Sequence, residues 1–490
     1  MKKDIILISL YIIISSSLLF SETNNKWDEQ LYKYSEIFST IKKHFPEKIN
    51  KEKIVFSSIR GFLKKLDPHS YFLDPIAFRS MSEDQDGNYY GIGTKITKYG
   101  ENLTIIAPLK DSPAYKLGIK PGDIIISING KDTSNMSLDE AMKKLRGSKN
   151  SYVNIKIIRE GINNPIPFRI KRAEIPLNSI SYSIIHPEEA EIGFISIRTF
   201  SNTTYEEFKH SLDLLIKNRK INGLILDLRG NSGGSLYAAV EISDFFLEKG
   251  KLIVSIKGRN ANQDFFAKKN NQYEDLPIVV LINRGSASAS EIVAAALQYH
   301  KKATIIGRRS WGKGFVETVH KLSLKCALAL TTAKYYTPAG KCLQRDFKEL
   351  DDYFFFLNKN YDYDKNIEGG VIPDIYIKND ILPTFIINFI SKGIFFKFSM
   401  NLINSSLKIR KNFKIDKKII NKFKDFLKKN KIEYSKTDIE NYLKNIKHEI
   451  EREVVSNKFS DEEGLKIFLK YDLTTKKAVE ILKHKIEKGA

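Results

Sequence analysis

Three serines at alternate positions, Ser286, Ser288 and Ser290, stand between a strand-like apolar run, Ile278–Ile282, and a helix-like run that begins at Glu291. A serine on a sharp strand-to-helix turn projects its hydroxyl at the positive end of a helix, where a neighbouring oxyanion is also stabilised. That placement suits a nucleophile, and a nucleophilic serine needs a base. No His-Asp pair lies nearby in the sequence, but Lys313 sits between Gly312 and Gly314, where little side chain crowds it. Lysine serves as a base only when neutral, so such a site must lower its pKa by burial. The same spacing supports a plainer reading. Ser288-Ala289-Ser290-Glu291 fits a helix capping box, and a lone Gly-Lys-Gly is commonly a turn with a solvated lysine. Sequence physics alone does not choose one serine of the three.

A second chemical turn lies upstream. Leu224–Leu228 reads as a buried strand that runs into Arg229-Gly230-Asn231-Ser232-Gly233-Gly234, with a helix expected over Leu236–Leu247. A glycine-rich turn of this kind suits backbone N–H donation to an anion. Neither dinucleotide nor P-loop spacing is present, and no CxxC or His/Cys cluster points to a metal, so no cofactor is expected.

Together, GSASASEI (285–292), GKGFVE (312–317), DLRGNSGG (227–234), LALTTAKYYTPAG (328–340) and GVIPD (370–374) resemble the C-terminal processing peptidases, or tail-specific proteases, which use a Ser-Lys dyad. The resemblance covers roughly residues 30–380. It implies that Ser288 is the nucleophile and Lys313, 25 residues later, its base. It further implies that the N–H groups of Gly234 and Ala289 form the oxyanion hole, and that the core is crotonase-like. Two positions depart from the family. Glu317 stands where a glutamine usually orients the lysine, and Tyr299 stands where some members carry aspartate. An ionised Glu317 would hold Lys313 charged and oppose its work as a base.

The elements that must position these residues follow from pattern. Residues 1–21 combine Lys2-Lys3 with an apolar Ile5–Ile14 run and small residues near a cut, which reads as a signal peptide or an N-terminal anchor. Residues 22–80 show helical periods and end in Leu66-Asp67-Pro68-His69-Ser70, where Asp-Pro stops the helix. The resemblance makes His69 a structural landmark. Residues 81–172 carry strands at Thr94–Thr97, Leu103–Ala107, Ile124–Ile128 and Val153–Arg159, with a helix at Leu138–Leu145 and an Asn129-Gly130 hairpin turn. That order resembles a PDZ domain. Its Tyr90-Gly91-Ile92-Gly93 loop would expose backbone N–H groups to a peptide carboxylate beside an edge strand that accepts the peptide. Arg146, just after the helix, is the place where the family can relay tail binding. Residues 173–380 alternate strands and helices with glycine turns, a mixed α/β core. Residues 381–490 are lysine-rich and helical, and no chemistry is assigned to them.

The expected class is therefore α+β and multidomain, with a PDZ-like domain inserted between a helical N-terminal region and a crotonase-like peptidase core, then a helical C-terminal region. The 490 residues are 42% hydrophobic and 28% charged, which is ordinary for a globular protein. The net charge of +22 raises a nucleic-acid reading, but no such motif is present and the lysines are widely spread as solvated faces. Weak attraction to an anionic membrane surface and self-association stay open as partner expectations. Cys326 and Cys342 either pair or remain two thiols. The expected activity is an exported serine endopeptidase, periplasmic or anchored facing the periplasm, that recognises free apolar C-termini and processes or degrades envelope proteins. The alternatives are a catalytically impaired PDZ scaffold that binds C-termini and, less favoured, a crotonase-type acyl-group enzyme.

Overall fold

The computed structural model describes residues 21–185, 191–219, 221–270, 273, 275–345, 368–378, 382–405 and 407–488. Nearly all of the expected signal segment lies outside the described residues.

The core is a six-stranded sheet in the order Ile180–Ile185, Ile192–Ile197, Gly223–Asp227, Ile278–Ile282, Ala303–Gly307, Ile375–Tyr376. Its first pair is antiparallel and the rest are parallel. Gly223–Asp227 and Ile278–Ile282 are buried at every residue, which explains their continuous rather than alternating apolar character. Helices Thr204–Arg219, Leu236–Phe246 and Ala289–Tyr299 contribute to the hydrophobic cluster on one face. Ala478, Val479 and Leu482 of the last helix, Leu473–Glu487, join the cluster on the other. A five-stranded antiparallel sheet adjoins this core. Within it Ala327–Tyr336 pairs with Tyr71–Leu73, Leu252–Gly258 and Phe315–Lys321.

The PDZ-like domain enters and leaves on a two-stranded neck, Asn88–Gly91 paired antiparallel with Ala173–Pro176. Its sheet runs Thr94–Tyr99, Asn102–Pro108, Ile124–Ile128, Tyr152–Ile158, Ile166–Lys171, so Thr94–Tyr99 is an edge strand. The expected hairpin turn is present. Asn129 and Gly130 both take positive φ, 48° and 77°, joining Ile124–Ile128 to Lys131–Asp132. Ser137 caps the helix Leu138–Leu145 by accepting from the Glu140 N–H at 3.1 Å.

The C-terminal helices have their own apolar cluster, built on Phe389, Phe395, Phe398 and Phe423. Among the described residues no single helix is long and apolar enough to cross a membrane; only the bent pair Thr384–Ser391 and Ile394–Asn404 passes on length and composition together. Ile386, Phe389, Phe395, Phe398 and Leu402 of that pair are buried in the cluster. Cys326 and Cys342 are free thiols.

Candidate active site

The serine turn follows directly from the central strand Ile278–Ile282. Ser286 and Ser290 are fully buried, and their hydroxyls donate to backbone carbonyls, Ser286 to Leu228 at 2.8 Å and Ser290 to Asn231 at 2.9 Å. Ser288 alone of the three lines an open cleft. The outer two serines thus fasten the turn to the glycine-rich loop, which leaves Ser288 facing the cleft. Ser288 takes φ 53° and ψ −114°, a strained conformation for a residue with a Cβ. The turn tolerates this strain because the Ala287 N–H donates to Asn231 O at 2.9 Å and the Ser288 N–H donates to Glu291 Oε2 at 2.7 Å. The carboxylate half of the expected capping box is therefore present.

Gly233 and Gly234 face this turn in different ways. Gly233, at φ 106°, lies so close that a Cβ there would stand 2.8 Å from Ser288 Cβ and 3.1 Å from Ala289 N. Its N–H is taken by Asn231 Oδ1 at 2.8 Å. Gly234, at φ 134°, packs on Phe200, whose carbonyl would meet a Cβ at 2.0 Å. Among the described residues no acceptor takes the N–H of Gly234 or of Ala289. A pair of N–H groups without internal partners beside a serine hydroxyl is what an oxyanion hole requires.

Lys313 follows the neighbouring parallel strand Ala303–Gly307 and lines the same cleft as Ser288, with Gly233, Gly234 and Glu317. The cleft has a volume of about 950 Å³ and is also walled by Tyr71, Phe315 and Tyr335. Lys313 Nζ lies 3.0 Å from Glu317 Oε1, and both side chains are largely covered. The departure from glutamine is therefore a direct ion pair. On its other side Glu317 Oε1 stands 3.9 Å from His69 Nδ1.

His69 is buried, with its ring edge-on to Phe315 at 5.3 Å between centroids. Burial first, and then the charge of Lys313, hold its pKa down to about 4, so it is neutral near pH 7. Asp67 fixes the segment by accepting from the N–H groups of His69 and Ser70 at 2.7 and 2.8 Å and from Thr331 Oγ1 at 3.1 Å. His69 is thus fixed by its own turn, and it also stands beside the glutamate that pairs with the lysine. Burial, then the Glu317 charge, raises the Tyr335 pKa to about 12.

The sequence reading assigned Glu291 only a capping role. In the structure it is fully buried and its carboxylate accepts from both the serine turn and the lysine loop. The capping-box spacing was the signal for it, but the second set of donors comes from a loop some 20 residues later.

The Tyr90-Gly91-Ile92-Gly93 segment divides between two tasks. Tyr90 and Gly91 belong to the neck strand. The Ile92 and Gly93 carbonyls accept from the N–H groups of Ala114 and Leu109, both at 2.9 Å, while among the described residues no acceptor takes their own N–H groups. Gly93, at φ 74°, has to be glycine, because a Cβ would lie 2.3 Å from Ser112 Cβ. Arg146 ends the PDZ helix. It pairs with Glu83 of the helix Pro75–Asp86 at 3.1 Å, stacks over Tyr89 at 4.3 Å, and borders the same cleft as Ser288. Tyr299 is exposed and lies edge-on to His300. Among the described residues no cluster of His, Cys, Asp or Glu could hold a metal.

A serine turn, an adjoining pair of open N–H groups and a PDZ domain on one cleft define the class, a PDZ-bearing serine-type peptidase. Residues 191–351 match peptidase family S41, and residues 80–158 match the PDZ domain. The chain is 36% identical over 338 residues to a carboxy-terminal-processing protease of Bartonella bacilliformis, covering 68% of this chain and 76% of that one. It is 34% identical over 339 residues to the carboxy-terminal processing protease CtpA of Bacillus subtilis, covering 69% and 72%. Among solved structures it is similar to a photosystem II D1 C-terminal processing protease, at 27% identity and a TM-score of 0.40, covering 72% and 88%. The chain belongs to the carboxy-terminal processing proteases of peptidase family S41.

Proposed function

We propose that the protein is an exported endopeptidase that cleaves with a Ser288–Lys313 dyad and selects substrates by their C-termini. In this reading Ser288 attacks the scissile carbonyl and Lys313 takes the serine proton and returns it to the leaving amine. The N–H groups of Gly234 and Ala289 hold the oxyanion, and water hydrolyses the acyl-enzyme. The observation that carries the reading is the convergence of Ser288, Lys313 and Gly234 on one cleft, with Ala289 N–H beside Ser288. The N–H groups of Ile92 and Gly93 would bind the terminal carboxylate, and the edge strand Thr94–Tyr99 would accept the tail as an added strand. Arg146, paired with Glu83 across the cleft wall, would couple tail binding to the site. Export rests on the N-terminal segment of the sequence, and envelope proteins with free apolar C-termini are the proposed substrates.

One observation favours a second reading. Lys313 Nζ is paired with Glu317 Oε1 at 3.0 Å, an arrangement that suits a PDZ scaffold that binds tails without cleaving. Cleavage of an unfolded protein with an apolar free C-terminus separates the two, assayed across pH against Ser288→Ala and a C-terminally amidated substrate. Cleavage lost in Ser288→Ala and weakened by amidation is expected. Absence of cleavage at every pH, with tail binding intact, would leave the scaffold.

A further inference from the structure

We propose that Glu291 is a positioning residue that fixes the separation between the nucleophile and its base, a role that rests on the Ser288–Lys313 reading. The serine turn and the lysine loop emerge from adjacent parallel strands, whose ends meet at Ile282 and Gly307. Lys313 stands between Gly312 and Gly314, and the serine turn holds Ser288 at a strained φ of 53°. Parallel strands fix where two loops begin but not how their tips approach each other. The Glu291 carboxylate does that. Its Oε2 accepts from the N–H of Ser288 at 2.7 Å and from the N–H of Lys313 at 2.9 Å, so one oxygen spans the backbone of both dyad residues. Its Oε1 accepts from Ser310 Oγ at 2.5 Å and from the Gly312 N–H at 2.7 Å, fixing the loop that leads into the lysine.

The carboxyl group meets these four donors on two oxygens, whereas a carboxamide has one acceptor oxygen. The Glu291 side chain itself lies wholly out of solvent. A second link, the Trp311 N–H to Ser286 O at 2.9 Å, joins the loops further from the dyad and leaves the tips themselves to Glu291. Ser310 is in turn held by Val371, whose N–H donates to Ser310 Oγ at 2.6 Å, so the cradle is continuous with the core. A capping glutamate needs only the Ser288 contact. The other three donors come from residues 310–313 and have no part in capping the helix Ala289–Tyr299.

The test uses the full chain and four proteins: the parent, Ser288→Ala, Glu291→Gln and Ser310→Ala. Gln keeps the size and the helix contact but leaves two donors facing an NH₂ group; Ser310→Ala removes one donor and leaves the carboxylate. Turnover of a tail-bearing unfolded protein, affinity for the free tail peptide, and amide exchange at residues 286–290 and 312–314 are measured. A displacement on the order of 1 Å costs about a hundredfold in rate. The expected result is a kcat lowered about a hundredfold in Glu291→Gln and to a smaller degree in Ser310→Ala. Tail affinity should stay unchanged, and exchange should rise in both loops together. A kcat within threefold of the parent in folded Glu291→Gln overturns the proposal. If Glu291→Gln fails to fold, Ser310→Ala decides: parental kcat with only a lowered melting temperature makes the carboxylate a structural cap. Cleavage that survives Ser288→Ala removes the dyad reading itself, and this proposal with it; a dead Ser288→Ala beside a fully active Glu291→Gln removes this proposal alone.

Discussion

Glu317 presents one carboxylate oxygen to two bases, Lys313 at 3.0 Å and His69 at 3.9 Å. Glu317→Gln keeps the side-chain length but removes the charged partner that Lys313 Nζ meets at 3.0 Å, and is expected to raise kcat/KM for a tail-bearing substrate. An unchanged or lower kcat/KM would show that the ion pair does not restrain the lysine. Two buried neighbours titrate in opposite senses. The His69 pKa is lowered to about 4, chiefly by burial, so the folded chain binds fewer protons there and loses stability as pH falls from 6.5 through 4. The Glu291 pKa is raised to about 7 by burial, against four hydrogen bonds that lower it. Its contribution to stability is present below 4.5 and is lost as pH rises through 7. The two slopes oppose each other in the parent chain. Urea midpoints against pH should therefore separate them. Relative to the parent, His69→Gln loses less stability on acidification from pH 6.5 to 4, and Glu291→Gln gains stability from pH 4.5 to 7. Parallel curves for variant and parent would refute either assignment.

At the scale of elements, two adjacent glycines that are identical in sequence have different work. Gly233→Ala puts a methyl 2.8 Å from Ser288 Cβ and 3.1 Å from Ala289 N, against the N–H group proposed to hold an oxyanion. Gly234→Ala puts one 2.0 Å from the Phe200 carbonyl, within the bridge that joins residue 234 to the end of the first parallel strand. Gly233→Ala is expected to abolish acylation of Ser288 by an active-site probe in a chain that still folds. Gly234→Ala is expected to lower the melting temperature by more than Gly233→Ala does. The reverse order would move the oxyanion geometry to another turn. The elements themselves were largely legible. The strand Ile278–Ile282 and the helix Leu138–Leu145 have the limits that pattern gave them, because a fully buried apolar run and a serine-capped amphipathic run each have one stable solution. The strand Phe315–Lys321 was not read, because its residues follow a functional motif and its pairing partner Ala327–Tyr336 is what makes it a strand. Nor could the separate duties of Ser286, Ser288 and Ser290 be read, since their partners Leu228 and Asn231 lie on another turn nearly 60 residues away.

Across the whole molecule, the segment with no assigned chemistry turns out to hold the other parts together. Asp472, at the head of the last helix, accepts from Arg229 Nη1 at 2.9 Å and so braces the turn that carries Gly233 and Gly234. Lys95 of the PDZ edge strand pairs with Asp461 of a C-terminal helix. Contacts between partners separated by hundreds of residues leave no periodic trace in a single sequence, which is why this docking was invisible there. One further contact of this kind is open to measurement. Gly393 joins the helices Thr384–Ser391 and Ile394–Asn404 at φ 67°, and a Cβ there would stand 2.3 to 2.5 Å from three carbons of the Tyr99 ring. The ring also packs on Phe396 at 5.9 Å and lies under Lys397 Nζ at 5.7 Å. Gly393→Ala therefore incurs two costs, the left-handed backbone, roughly 1 to 2 kcal/mol, and displacement of Tyr99 from the interface. The first is independent of residue 99 and the second is not. A double-mutant cycle with Tyr99→Ala isolates the second. Gly393→Ala should destabilise the parent by about 1 kcal/mol or more beyond what it does in the Tyr99→Ala background, and should speed amide exchange along Thr94–Tyr99 only when the tyrosine is present. Additive effects with unchanged exchange would mean that the C-terminal helices do not hold the PDZ edge strand through this ring.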